Sequence, residues 1–324
     1  MKKINIGILG SGFIVPVFIE MSKLYRQYHL RAIWGRHEEK LLNFKEEVDY
    51  YTTDLDRVLN DDTIDVIYVA LPNALHYEYA LKALQHDKHV ILEKPFTVYK
   101  KDAKKLIDLA KKKGLIIFEA ITTVHNPTYQ RMVKEKEKLG DIRLVCANFS
   151  QQSRRYQRFK NGDLTPVFTR KLAGGALLDL NVYNIHFIAG MFGKPKKLQY
   201  YPNMEKGIDT SGILMMDYGT FKVSSIAGKD CQGDNFVLIE GENGNLRCNT
   251  TASRCGNYTL QINKGRTVSY GKEDDEFCGW KYELKRFIEI YEKNDLEQAQ
   301  ELNKETLLVA EILEKALASA GLNY

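Results

Sequence analysis

Ile4-Asn5-Ile6-Gly7-Ile8-Leu9 runs directly into Gly10-Ser11-Gly12-Phe13-Ile14-Val15. The first six residues are mostly apolar without alternation, which reads as a strand buried on both faces. From Phe13 to about residue 25 the apolar residues recur at helical spacing. Two glycines at such a strand-to-helix turn have separate physical uses. The first permits the tight turn, and the second lets the backbone approach a pyrophosphate seated on the helix N-terminus. Val15 stands where a third glycine would complete GxGxxG, so the fingerprint is partial. Its place at the head of a strand–helix series gives it weight.

Outward from that turn the same alternation continues. Strand patterns at 30–34, 49–51, 66–71, 90–93 and 115–119 are separated by helical patterns at 38–48, 54–59, 77–86 and 101–112. Continuous apolar strands between amphipathic helices predict a parallel sheet covered on both faces, and short connections favour the doubly wound order. Near residue 121 the pattern changes. A polar helix at 127–139 precedes a longer, alternating strand at 142–150, and a Gly174-Gly175 entry opens a helix at 176–191. A run of short strands with tight turns follows, predicting a mostly antiparallel open sheet, and two helices close the chain. The expected fold is α/β: residues 1–121 as a dinucleotide-binding doubly wound domain, and 122–324 as an α+β substrate-binding domain.

Composition narrows the functional class. A net charge of +5 over 324 residues is small. The lysine clusters near residues 100–105, 111–113 and 134–138 read as solvated helix faces rather than a nucleic-acid footprint. No apolar run reaches the ~18 residues needed to span a bilayer, and the opening residues lack a secretory pattern. Cys146, Cys231, Cys248, Cys255 and Cys278 are odd in number and scattered, without Cys-x-x-Cys. They read as reduced thiols of a cytoplasmic protein, with neither a disulfide frame nor a metal site.

The end of the second strand bears on which dinucleotide is held. Trp34-Gly35-Arg36-His37 has no acid to bind a ribose diol, and Arg36 suits a 2′-phosphate. NADP is the expected cofactor, with NAD admitted. Ligands of an open parallel sheet sit beyond the carboxyl ends of its strands. Those ends carry Gly10, Gly35 and Arg36, Leu71-Pro72-Asn73, Glu93-Lys94 and Glu119.

Four segments together resemble the Gfo/Idh/MocA oxidoreductases: Gly10-Ser11-Gly12-Phe13-Ile14, Ala70-Leu71-Pro72-Asn73-Ala74-Leu75-His76, Glu93-Lys94-Pro95, and Gly174-Gly175-Ala176-Leu177-Leu178-Asp179 with Tyr183. The resemblance covers nearly the whole chain in order. It implies a Rossmann domain with Lys94 as the catalytic lysine and Glu93 beside it near the nicotinamide. It also implies a cis peptide into Pro95. Asn73 would contact the nicotinamide ribose, His76 would line the same cleft, and Glu119 would lie near the cofactor. Asp179 and Tyr183, four residues apart and so on one helix face, would join them in catalysis. A homodimer through the open face of the second sheet is also implied. Tyr183 in place of the more frequent histidine resembles the dihydrodiol dehydrogenase and glucose–fructose oxidoreductase branch. Asn181, where glycine is usual, becomes a candidate substrate contact. His125 is another, because Ala120-Ile121-Thr122-Thr123-Val124-His125-Asn126-Pro127 departs from that branch. His186 reads as a core histidine.

The chemistry so implied is hydride transfer at a carbinol or carbonyl carbon of a carbohydrate-like molecule: a sugar, polyol or dihydrodiol. Tyrosine, with an ordinary pKa of ~10, is a poor base until a lysine ammonium lowers it. Two other classes remain open at this point. One is a non-catalytic dinucleotide sensor, against which the proton-handling set argues. The other is a hydrolase or lyase with recycled NAD, against which Arg36 argues.

Overall fold

The computed structural model of the chain describes residues 3–163, 165–263, 265–271 and 278–324; of Cys278 it describes only the backbone. The chain packs as two units, Met1–Ala120 with Glu283–Leu307, and Ile121–Tyr282 with Leu308–Tyr324.

The first unit is built on six parallel strands. They are β1 (Ile4–Leu9), β2 (Tyr28–Trp34), β3 (Tyr50–Thr52), β4 (Val66–Val69), β5 (His89–Glu93) and β6 (Ile117–Ala120), in the order β3-β2-β1-β4-β5-β6. The order reverses between β1 and β4, so a crevice opens beyond their carboxyl ends. Ile6, Ile8, Val66 and Tyr68 are buried because helices cover both faces. Residues 283–307 were expected in the second domain and instead pack here. Leu284, Phe287, Ile288, Ile290 and Ala299 share one buried cluster with Ile4, Ile8 and Phe118. Tyr28 also donates to the Leu284 carbonyl across 2.9 Å. Apolar spacing marks a buried helix face without saying which sheet covers it.

The second unit holds eight strands: β7 (Ile142–Ser150), β8 (Lys197–Glu205), β9 (Ile208–Asp217), β10 (Lys222–Gly228), β11 (Phe236–Gly241), β12 (Gly244–Cys248), β13 (Asn257–Ile262) and β14 (Val268–Gly271). Their order is β14-β13-β12-β11-β7-β10-β9-β8, and only β7 and β10 pair in parallel. Alternation sorts the faces. On β9, Leu214 and Met216 are buried, whereas Ile213 and Met215 are about two-fifths exposed. Leu144 and Tyr201 share that open face. The helix expected at 176–191 begins differently. Leu177–Asn181 forms a π-turn before the regular helix Val182–Phe192. Side chains reaching into the sheet anchor the wide turn: the Asp209 carboxylate accepts from Leu177 N, and Asn181 bonds to Ser225. Wide turns of this kind often occur at functional positions. Among the described residues no helix is long and apolar enough to cross a membrane.

Candidate active site

In the first unit the glycine loop leaves β1 at the point where the strand order reverses. Gly10 has φ +123°, and a Cβ built on it would lie 2.3 Å from the Ala70 carbonyl oxygen. The loops after β1 and β4 therefore touch through backbone at a place only glycine fits. Gly12 is exposed, with nothing within 4 Å of where its Cβ would be. Phe13 is exposed, Ile14 half-buried, and the helix Ile14–Ser22 has no acid in its first turn. Val15 is fully buried in the core, so the substitution of the third glycine is absorbed by packing. Gly35 follows β2, and a Cβ there would sit 3.5 Å from the Ser11 hydroxyl. Arg36 is exposed beside it.

Leu71, Pro72 and Asn73 are half-buried at the end of β4, and Asn73 opens a short 3₁₀ turn. At the end of β5, Glu93 and Lys94 are half-buried and the Lys94–Pro95 peptide is cis. Two residues expected near the cofactor also brace this turn. His76 is fully buried, and its Nδ1 and Nε2 lie 2.8 Å from the carbonyls of Pro95 and Leu71 respectively. Burial pushes its pKa below the ordinary value. The two carbonyls act the other way, because only an imidazolium can donate to both. Glu119, 5% exposed, accepts from Phe96 N at 3.0 Å. Both polar ends of His76 are spent on backbone, so its role is to tie the two loops together.

Tyr68 donates to Glu93 across 2.6 Å. Burial pushes the Glu93 carboxyl up, against that hydrogen bond and the Lys94 charge. Glu283, 4% exposed, adds a third carboxyl to this region. Its Oε2 has no hydrogen-bond partner among the described residues. Burial, then the charges of Glu93 and Glu119, push it well above the ordinary range. An acid raised in the folded state contributes stability below its unfolded pKa of ~4.3, and that contribution is lost as pH rises through the folded value. Glu283→Gln is therefore expected to flatten the decline of Tm as pH rises from the unfolded-state value of ~4.3 into the alkaline range, and to exceed the wild type at the alkaline end. Thermal melts across that range check it; a variant less stable at the alkaline end contradicts it.

In the second unit Asp179 lies in the π-turn and Tyr183 in the first turn of the following helix; both are half-buried while Leu178, Asn181 and Val182 are buried. The Tyr183 ring packs 5.9 Å from Phe149. Lys229, which sequence reasoning missed, donates to Asp179 Oδ2 at 2.7 Å. Its signal was weak: Gly228-Lys229-Asp230 after a strand reads as a solvated turn. Asn181 is corrected. It is fully buried and its amide is engaged by Ser225 and Asn184, so it holds helix to sheet and does not offer a substrate contact. His125 is 8% exposed in the short helix Thr122–His125, and His186 is in the core.

Comparison with known proteins gives these halves a common context. Residues 4–121 match the oxidoreductase family model described as an NAD-binding Rossmann fold, and residues 128–247 match the GFO/IDH/MocA C-terminal domain. The chain belongs to the Gfo/Idh/MocA family. An NADP(+)-dependent scyllo-inositol 2-dehydrogenase of Bacillus subtilis (strain 168) is 29% identical over 99% of this chain and 98% of that protein. A trans-1,2-dihydrobenzene-1,2-diol dehydrogenase of Sus scrofa is 26% identical over 98% of this chain and 97% of that protein. A 3-ketoreductase from Actinomadura kijaniata, solved with NADP and TDP-benzene, has the same fold: TM-score 0.87, 20% identity, 98% of both chains covered.

As a Gfo/Idh/MocA protein the chain is an NAD(P)-dependent oxidoreductase. The residues present fit a dinucleotide. Gly12 leaves the backbone open to a phosphate, and the acid-free helix start adds the favourable end of its dipole.

Proposed function

We propose that this Gfo/Idh/MocA protein is an NADP(H)-preferring dehydrogenase or reductase of a cyclic polyol or sugar, transferring hydride at a carbinol or carbonyl carbon. The observation that carries the reading is Arg36, exposed at the end of β2 where no acid stands, in a chain similar end to end to an NADP(+)-dependent inositol dehydrogenase. A guanidinium there can hold a 2′-phosphate in bidentate fashion, and Ser11 lies close to the same position.

In this reading Gly10, Gly12, Phe13 and Ile14 hold the pyrophosphate, and Gly35 and Arg36 the adenosine end. Leu71, Pro72 and Asn73 take the nicotinamide side. The bound nicotinamide supplies hydride chemistry. Lys94 polarises the substrate oxygen, Tyr183 carries its proton, and Asp179 accepts a substrate hydrogen bond. Glu93, Glu119 and His76 keep the Lys94 turn in shape. His125 remains a proposed substrate contact. The open apolar face of the second sheet, with Tyr201, Ile213 and Met215, supports a homodimer as part of the proposal. Among the described residues Cys146, Cys231, Cys248 and Cys255 form no disulfide, which supports a cytoplasmic setting.

Arg36→Ala is the test of cofactor choice. It is expected to raise KM for NADP by about ten- to hundredfold, the worth of a hydrogen bond to a charged group, with little change for NAD. Steady-state kinetics with both cofactors check it, and an equal loss for the two contradicts the assignment.

A further inference from the structure

Lys229 is a lysine wholly inside the second unit, 2% exposed. It follows β10, and its backbone is fixed on both sides: its N–H donates to Thr210 O at 2.7 Å, and its carbonyl accepts from Ser153 N at 2.8 Å. The ammonium donates to Asp179 Oδ2 and to Val167 O, each at 2.7 Å, and sits 4.5 Å from the centre of the Phe168 ring. Val167 O also accepts from Gly175 N, at the entry to the π-turn that carries Asp179. The pair is asymmetric: the lysine side chain is 2% exposed and the aspartate 25%. Burying an ammonium costs several kcal/mol unless a carboxylate and further acceptors surround it. Lys229 has a carboxylate, a backbone carbonyl and an aromatic face as partners, and the carboxylate is the more exposed member of the ion pair.

We infer that Lys229 is a positioning residue for the reaction. It holds Asp179 as an anion in one rotamer, so that the carboxylate presents a fixed hydrogen-bond acceptor to a substrate hydroxyl and is not the proton acceptor. A carboxylate hydrogen-bonded to an ammonium is a poor base, which leaves the proton to Tyr183. A substrate with a second hydroxyl near the reacting carbon, as in a polyol, has the donor this acceptor needs. The inference rests on the reading that Asp179 belongs to the substrate site.

The test is a double-variant cycle on the full chain with NADPH. Lys229→Met keeps the volume and removes the charge. It is expected to lower kcat by about ten- to hundredfold, with NADPH affinity within a few-fold of the wild type. Asp179→Asn is expected to do the same, and the double variant to be no worse than Asp179→Asn, because the two act as one unit. Lys229→Arg, which keeps the charge, is expected to recover most of the lost kcat. If Lys229→Met does not fold, Lys229→Gln, which keeps a donor for Val167 O, is read in the same way. Additive losses, or a loss with Lys229→Arg equal to that with Lys229→Met, overturn the Lys229 link while leaving the site reading in place. An Asp179→Asn variant with wild-type kcat and KM overturns both.

Discussion

Lys94→Ala is expected to lower kcat by about 10²–10⁴-fold while NADPH binding stays within a few-fold of the wild type. The separation of the two effects follows from how the turn is held. Contacts other than the lysine side chain hold it. His76 fastens the Pro95 carbonyl, Glu119 fastens Phe96 N, and Glu93 accepts from Lys94 N at 3.3 Å. Truncating the side chain removes a charge and leaves that frame standing. Burial pushes the neighbouring Glu93 carboxyl up, against the Lys94 charge and the hydrogen bond from Tyr68. Lys94→Arg is not expected to restore turnover, since a planar fork does not replace a compact point charge. Single-turnover oxidation of NADPH, paired with a fluorescence titration of the same cofactor, checks both halves; an unchanged single-turnover rate contradicts the role given to Lys94.

Gly10→Ala is expected to destabilise the first unit by roughly 3 kcal/mol or more and to abolish dinucleotide binding in whatever remains folded. Two independent obstacles meet at this residue. Its φ of +123° lies in a region that side-chain-bearing residues rarely enter, and the new methyl would fall 2.3 Å from a backbone oxygen. The Ala70 carbonyl cannot retreat cheaply. Ala70 N donates to Leu9 O at 2.9 Å, and Leu9 pairs with Val69 in the sheet. Gly12→Ala, two residues on and in open space, is the matched control: little loss of stability, with the loss confined to cofactor binding. Denaturant unfolding of both variants distinguishes strain from site loss, and a Gly10→Ala protein as stable as the wild type contradicts the account.

Much of this architecture could be read from the sequence because its signals are local. The mostly apolar run Ile4–Leu9 followed by two glycines, the alternation of strands and helices, and Glu93-Lys94-Pro95 each announce themselves within a few residues. What was not legible depends on partners far away in sequence. His76, at the start of the helix after β4, and Glu119, in β6, reach backbone 19 and 23 residues away respectively. Asn181 lies between two candidate site residues but turns into the sheet toward Ser225, 44 residues on. Lys229 meets Asp179 across 50 residues. Glu283, near the start of a helix that looked like part of the second domain, is buried in the first. In each case the partner that decides what the residue does is set by the fold.

The measurement that bears most directly on the proposed function is a panel of inositols, aldoses and their keto counterparts, run with NADP and with NAD and followed at the nicotinamide band. Reversible change at that band is expected with at least one polyol–ketone pair, faster with NADP, and lost in Lys94→Ala. Substrate turnover with no change in nicotinamide absorbance would contradict it.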